Sequence, residues 1–244
     1  MTTFGILANS SSLIQLEQYD DYASEISGRV QFFNRNELRK ISHLGNGCFS
    51  NVDCVVTKSR DHFALKHLDP TRISRSDEFV IAASDLAREA KILSKLEHSN
   101  VIRLRGVSDS TLSQSWEDEH GYFLLMDVLH GTLKDRLQGW RKGKKKSFLS
   151  FAKRGSRAQI DEMMGRFETV ALGIVKGMAY IHSQNIIIQD LKPANIGFGE
   201  DGEVRLFDFG MAREMDCEMN ANDLMCGTPR YVLMEFNVDR KSSV

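Results

Sequence analysis

The chain has 244 residues, 41 % of them hydrophobic and 27 % charged, and its formal net charge is −1. That length and apolar share suffice for a real core in one domain or two lobes, while the balanced charge offers no hint of nucleic-acid binding. No stretch approaches about 18 consecutive apolar residues, so no membrane-spanning helix is expected.

Residues 1–37 are rich in Ser, Asn and Asp with only short apolar patches (Leu13, Ile14, Leu16), and a loosely ordered N-terminal extension is expected there. It opens with Met1-Thr2-Thr3-Phe4, which lacks the basic segment and apolar run of a signal peptide. It also lacks the second-position glycine that myristoylation needs. Beyond it, Leu38–Leu44, Val52–Thr57 and His62–Leu68 are strand-like runs separated by turn residues, which predicts an antiparallel meander. A helical period follows: Phe79, Ala82, Leu86, Ala90, Leu93 and Leu96 recur at three- and four-residue steps, with Ser76 placed to cap the start. Two more strands are expected over Val101–Val107 and Tyr122–Leu129.

Residues 139–158 hold eight Lys/Arg and no acidic residue. Charge runs are usually solvated, so a basic insert between helices is expected, with a nuclear-import or acidic-partner patch as its functional alternative. A second helix carries Met164, Phe167, Ala171, Ile174, Met178 and Ile181, and leads into Ile186-Ile187-Ile188. The four cysteines, Cys48, Cys54, Cys217 and Cys226, show no CxxC spacing, so a disulfide framework or zinc site is not expected. Strands with one helix, followed by a mainly helical half, imply an α+β fold with a small β-rich lobe joined to a helical lobe.

The chemistry concentrates in one region. Asp190-Leu191-Lys192-Pro193-Ala194-Asn195 is followed, thirteen residues after Asn195, by Asp208-Phe209-Gly210. Asp190 can accept a proton from a hydroxyl nucleophile, and Lys192 can neutralise charge on a phosphate in transfer. Asn195 and Asp208 offer oxygen ligands to Mg²⁺, which takes few protein ligands beside substrate phosphates. The ordered pair resembles the eukaryotic-type protein kinases, and Lys192 is the serine/threonine-type wording.

That resemblance implies a bilobal protein-kinase-like fold over residues 38–244, with an N-lobe over 38–129 and a C-lobe over 130–244. Leu233-Met234-Glu235 stands where the family has Ala-Pro-Glu and only nine residues follow, so a helical C-lobe lacking its last helices is expected. Leu44-Gly45-Asn46-Gly47-Cys48-Phe49-Ser50-Asn51-Val52 resembles the GxGxxGxV phosphate loop, with Ser50 in place of the third glycine. Ala64-Leu65-Lys66 resembles the VAIK strand, and Glu89, near the apolar stripe of its helix, is the expected partner of Lys66. By the same resemblance Val52 and Ala64 roof the adenine, Met126 is the gatekeeper, and the backbone of Asp127 and Leu129 meets the adenine edge. Gly197 stands on the floor where the family usually has Leu.

Ile188-Gln189-Asp190 replaces His-Arg-Asp, and Ile188 is expected to stack with Leu93, Leu104 and Phe209. Gln189 cannot clamp a phosphorylated loop, because that needs a permanent cation. Met211–Gly227 contains no Ser, Thr or Tyr, and Thr228 is expected to bridge Asp190 and Lys192. The resemblance therefore implies transfer of the ATP γ-phosphate to Ser/Thr hydroxyls of a protein substrate, with ATP and Mg²⁺ as cofactors. The alternative is a pseudokinase that binds ATP or a partner without catalysis. The expected location is intracellular, cytoplasmic or nuclear, with neither nucleic acid nor membrane as a partner.

Overall fold

The computed structural model describes Ile26, 28–112, 121–148 and 157–215, with side chains described outside 141–148 and 157–163. The chain divides into two units, Met1–Leu96 with Arg103–Val128, and Glu97–Ile102 with Leu129–Val244.

The first unit is built on a six-stranded sheet. Its strands are β1 (Gln31–Phe33), β2 (Arg39–Asn46), β3 (Ser50–Val56), β4 (His62–Leu68), β5 (Leu104–Ser108) and β6 (Phe123–Met126), in the spatial order β1-β5-β6-β4-β3-β2. The expected meander is β2–β3–β4, antiparallel throughout. Because side chains alternate along a strand, the register sorts them into two faces. Val55 and Leu65 fall on one face with Leu125 and Phe123, where Leu38 completes an apolar cluster and Phe33 and Phe63 pack against it. Burying each such side chain contributes about 1.5–3 kcal/mol. Val52, Ala64, Lys66 and Met126 fall on the other face.

β1 lies inside the segment expected to be loose. Three residues are too few for a legible period, yet β1 pairs parallel with β5, and Asp109 N–H donates to Phe33 O at 3.0 Å. Gly106 permits this approach, since a Cβ there would come within 2.4 Å of the Phe33 ring.

Helix α1 spans Ser76–Lys95 and buries Phe79, Ala82, Leu86, Ala90 and Leu93 as the period predicts. Its start differs from the expectation. The N-cap is Arg75, which makes no side-chain capping bond, and Ser76 is the first helical residue. Acidic side chains serve instead: Glu78 Oε2 accepts from Ser74 N–H at 3.1 Å and Asp77 pairs with Arg75. Negative charge in the first turn complements the helix dipole without a hydroxyl cap.

In the second unit, helix α2 spans Leu133–Phe148 and helix α3 Arg157–Ser183. Thr132 and Asp135 cap α2 reciprocally: Asp135 N–H donates to Thr132 Oγ1 at 3.2 Å and Thr132 N–H to Asp135 Oδ2 at 3.1 Å. The first ten residues of the basic stretch, 139–148, complete α2, and residues 149–156 lie outside the described residues. Lys and Arg are good helix formers, so a basic run continues a helix readily. On α3, Ile181 is fully buried and Ala171, Ile174 and Met178 are half-buried, whereas Met164 and Phe167 stand 55 % and 64 % exposed.

After α3 come β7 (Ile186–Ile187), β8 (Ile196–Phe198), β9 (Val204–Leu206) and β10 (Arg213–Glu214), paired antiparallel as β7 with β10 and β8 with β9. Residues 97–102 are sewn to this unit. Glu97 N–H donates to Tyr180 Oη at 2.8 Å, Asn100 Nδ2 to Val204 O at 2.9 Å, and Ile102 N–H to Leu206 O at 2.9 Å. Among the described residues no helix is long and apolar enough to cross a membrane.

A carboxylate is embedded in the sheet. Asp53, 2 % exposed, meets Lys40 Nζ at 2.7 Å, His43 Nδ1 at 2.9 Å and His67 Nε2 at 3.5 Å. Burial raises its pKa, but hydrogen bonds from Lys40 and His43 and the charges of Lys40 and His67 hold it below the ordinary value. A carboxylate with a depressed folded pKa adds stability above its unfolded pKa of about 3.9, and that stability is lost as pH falls through the folded value. Asp53→Asn should therefore lower the melting temperature at pH 7. It should also flatten the fall in melting temperature below about pH 4, as thermal melts across pH will read.

Candidate functional site

In the first unit, the pair expected from sequence is formed. Lys66 Nζ lies 2.6 Å from Glu89 Oε2, with Glu89 1 % and Lys66 13 % exposed. β4 presents Lys66 toward the face that carries Val52, Ala64 and Met126, and α1 brings Glu89 to it. Ala64 and Met126 are cross-strand neighbours, both buried, and Val52 stands opposite Lys66.

The glycine-rich segment is the β2–β3 connection. Leu44, Gly45 and Asn46 end β2, and Gly47 N–H donates to Ser50 O at 2.7 Å to close the turn. Leu44 is 45 % exposed, and Cys48 is an exposed free thiol. Asp127 follows β6. Its N–H donates to Arg103 O at 3.3 Å and its carboxylate accepts from Arg105 Nε at 2.5 Å.

In the second unit, Asp190 is 6 % exposed and held from two sides. Lys192 Nζ lies 2.5 Å from Asp190 Oδ2, and Asn195 Nδ2 donates to Asp190 O at 3.0 Å and to Asp190 Oδ2 at 3.1 Å. Asn195 closes a 3-10 turn over Pro193–Asn195, and its carbonyl accepts from Phe207 N–H at 3.1 Å, which ties the turn to the residue before Asp208. The amide nitrogen of Asn195 is thus engaged and its Oδ1 is left as the acceptor.

Two residues here adopt left-handed backbone that side chains disfavour, Gln189 at φ +65° and Asp208 at φ +66°. Such conformations cost about 1–3 kcal/mol and cluster where a side chain must be aimed. Gln189 is 4 % exposed, and Ile188 and Phe209 are buried in this unit as Leu93 and Leu104 are in the other.

Gly197 reveals a contact that sequence did not disclose. Leu129 lies directly over it, and a Cβ at Gly197 would meet Leu129 Cδ1 at 2.5 Å. His130 N–H donates to Phe198 O at 2.8 Å and Phe198 N–H to Gly131 O at 3.3 Å, fixing this segment along β8. Asp69 and Arg72, also unmarked by any sequence period, bond the glycine-rich turn from the segment after β4. Thr228 and Leu233-Met234-Glu235 lie outside the described residues.

Among the described residues no group of three or more His, Cys, Asp or Glu side chains could hold a metal by itself. Asp208 and Asn195 would offer one carboxylate and one amide oxygen. That fits a hard divalent cation whose remaining ligands are phosphate oxygens and water.

The protein kinase domain family matches residues 38–240, and the chain belongs to that family. The curated relatives it resembles carry protein kinase names. It is 28 % identical over 180 residues to mitogen-activated protein kinase 13 of Bos taurus, covering 73 % of this chain and 42 % of that one. It is 27 % identical over 226 residues to a cAMP-dependent protein kinase, catalytic subunit-like, of Caenorhabditis briggsae, covering 90 % and 50 %. To cGMP-dependent protein kinase isozyme 2 of Drosophila melanogaster it is 28 % identical over 247 residues, covering 98 % and 23 %. The chain spans half or less of the length of each of these relatives.

Removing one partner of a buried ion pair strands the other charge. Lys66→Met should therefore destabilise the first unit by about 3 kcal/mol, and Lys66→Met with Glu89→Leu should recover most of that loss. Denaturant unfolding of the three proteins checks both outcomes.

Proposed function

We propose that the chain transfers the γ-phosphate of ATP to serine or threonine hydroxyls of protein substrates. The observation that carries this reading is the buried Asp190 carboxylate, paired with Lys192 at 2.5 Å and steadied by Asn195. A substrate hydroxyl oxygen attacks the γ-phosphorus, the bond to the bridging oxygen breaks, and ADP leaves. Asp190 orients the hydroxyl and accepts its proton, while Lys192 offsets charge on the transferring group.

Lys66, held by Glu89, positions the nucleotide phosphates. Leu44, Gly45, Asn46 and Gly47 cover them, Val52 and Ala64 pack on the base, and Met126, Asp127 and Leu129 define its edge. Asn195 and Asp208 hold Mg²⁺, which when bound neutralises phosphate charge. Because phosphoryl transfer is mainly positioning and electrostatics, these groups suffice when held rigidly. Thr228 as a bridge between Asp190 and Lys192, an acidic partner for residues 139–158, and an intracellular setting belong to the same proposal.

A second reading, a nucleotide- or partner-binding module without catalysis, is favoured by two observations. Gln189, buried with φ +65°, supplies no cation where kinases place arginine, and Leu129 occupies the space over Gly197. The deciding experiment is transfer of labelled γ-phosphate from Mg²⁺·ATP to a generic Ser/Thr protein by wild type and Asp190→Asn. The expected result is transfer that falls at least about 10²-fold in the variant. No transfer from a cooperatively folded wild type selects the binding module.

A further inference from the structure

The β2–β3 turn is gripped by the segment that follows β4. Asp69 N–H donates to Phe49 O at 2.9 Å, and Arg72 Nη1 donates to Gly47 O at 3.1 Å. Asp69 organises the grip. Its Oδ1 accepts from Thr71 Oγ1 at 2.5 Å and from Thr71 N–H at 3.1 Å. Its Oδ2 accepts from Asn51 Nδ2 at 3.0 Å and pairs with Arg72 Nε at 3.0 Å. The Thr71 hydroxyl bond, with the further bonds and the Arg72 charge, keeps the Asp69 carboxyl ionised and below its ordinary pKa.

The consequence lies in the peptide that joins Gly47 to Cys48. Peptide units are planar, and none described here is cis, so the Gly47 C=O and the Cys48 N–H point in opposite directions. Drawing the carbonyl toward Arg72 therefore aims the Cys48 N–H away from residues 69–72. A turn whose N–H direction is fixed beforehand binds an anion without first having to order itself. The guanidinium faces Asp69, so its charge is already matched and its role at the turn is that of a donor.

We propose that Arg72 is a positioning residue for the glycine-rich turn, holding the Gly47 carbonyl so that the Cys48 N–H is preset for a nucleotide phosphate. This rests on the nucleotide reading of the turn given above. Asp69 is the residue that orients Arg72 for the task.

The test compares wild type, Arg72→Ala, Arg72→Gln and Arg72→Lys in amide hydrogen exchange and in calorimetric binding of Mg²⁺·ATP and of adenosine. In Arg72→Ala the Gly47 and Asp69 amides should exchange at least about fivefold faster while β4 and β6 stay unchanged, and ATP should bind about five- to tenfold more weakly with adenosine unaffected. Arg72→Lys should regain part of the ATP affinity.

Unchanged exchange and unchanged ATP binding in Arg72→Ala would overturn the proposal. So would equal losses for ATP and adenosine, which mark a merely structural residue. Wild-type exchange with weakened ATP binding in Arg72→Gln would make Arg72 a direct phosphate cation instead, and also overturns it. If wild type binds adenosine but not ATP, or neither, the nucleotide reading of the turn fails and takes the phosphate role with it. Faster exchange in Arg72→Ala would then show that the grip itself exists.

Discussion

A buried charge must be answered, and much of the first unit is arranged to answer one. Glu89 is 1 % exposed on a helix whose other buried residues are Ala, Leu, Ile and Phe with a single Ser, Ser84. Such a carboxylate is tolerable only against a cation at hydrogen-bond distance, and Lys66 at 2.6 Å is that cation. The pairing fixes the rotation of α1 about its axis relative to β4. A turn of one residue, about 100°, would carry Glu89 off the pair and Phe79 and Leu86 off the core. The apolar stripe and the ion pair thus specify the same orientation, which is the kind of agreement that singles out one packing.

The second unit solves a related problem in a loop instead of a helix. Asp190 is buried without regular structure around it, and its satisfaction comes from residues two and five positions along the chain. To present those groups the backbone enters the left-handed region at Gln189 and turns tightly over Pro193–Asn195. Proline at the start of that turn supplies its φ in advance. The strain at Gln189 is offset by β7 and β10 on one side and the β8–β9 hairpin on the other, each a short ladder whose role is to hold a loop still.

Sequence and structure diverge where a period is too short or a contact too distant to be read. Three residues of β1 carry no usable alternation, and their strand exists because Gly106 lets Phe33 lie across β5. Ser76 looked like a cap by residue type, but caps are defined by backbone geometry, and the chain turns helical one residue earlier than that hydroxyl requires. The charge of residues 139–158 does not disclose that its first ten residues continue the helix capped by Thr132 and Asp135, as a run of good helix formers can.

What the sequence determined by itself was strands β2 to β6, the two long helical periods, and the residue types gathered at Lys66–Glu89 and at Asp190, Lys192 and Asn195. Alternation and spacing are local properties, and Asp190, Lys192 and Asn195 lie close enough in the chain for local geometry to gather them. Lys66 and Glu89, 23 residues apart, were legible as a pair through the resemblance of Ala64-Leu65-Lys66 to the kinase VAIK strand, with the carboxylate beside an apolar stripe demanding a cation. Only the tertiary structure decided the contacts between segments with no shared period: Leu129 over Gly197, Arg72 on Gly47, and the two histidines and the lysine around Asp53. Each depends on strand register or on a connector's path, and register is set by the sum of the packing around it, which no single residue announces.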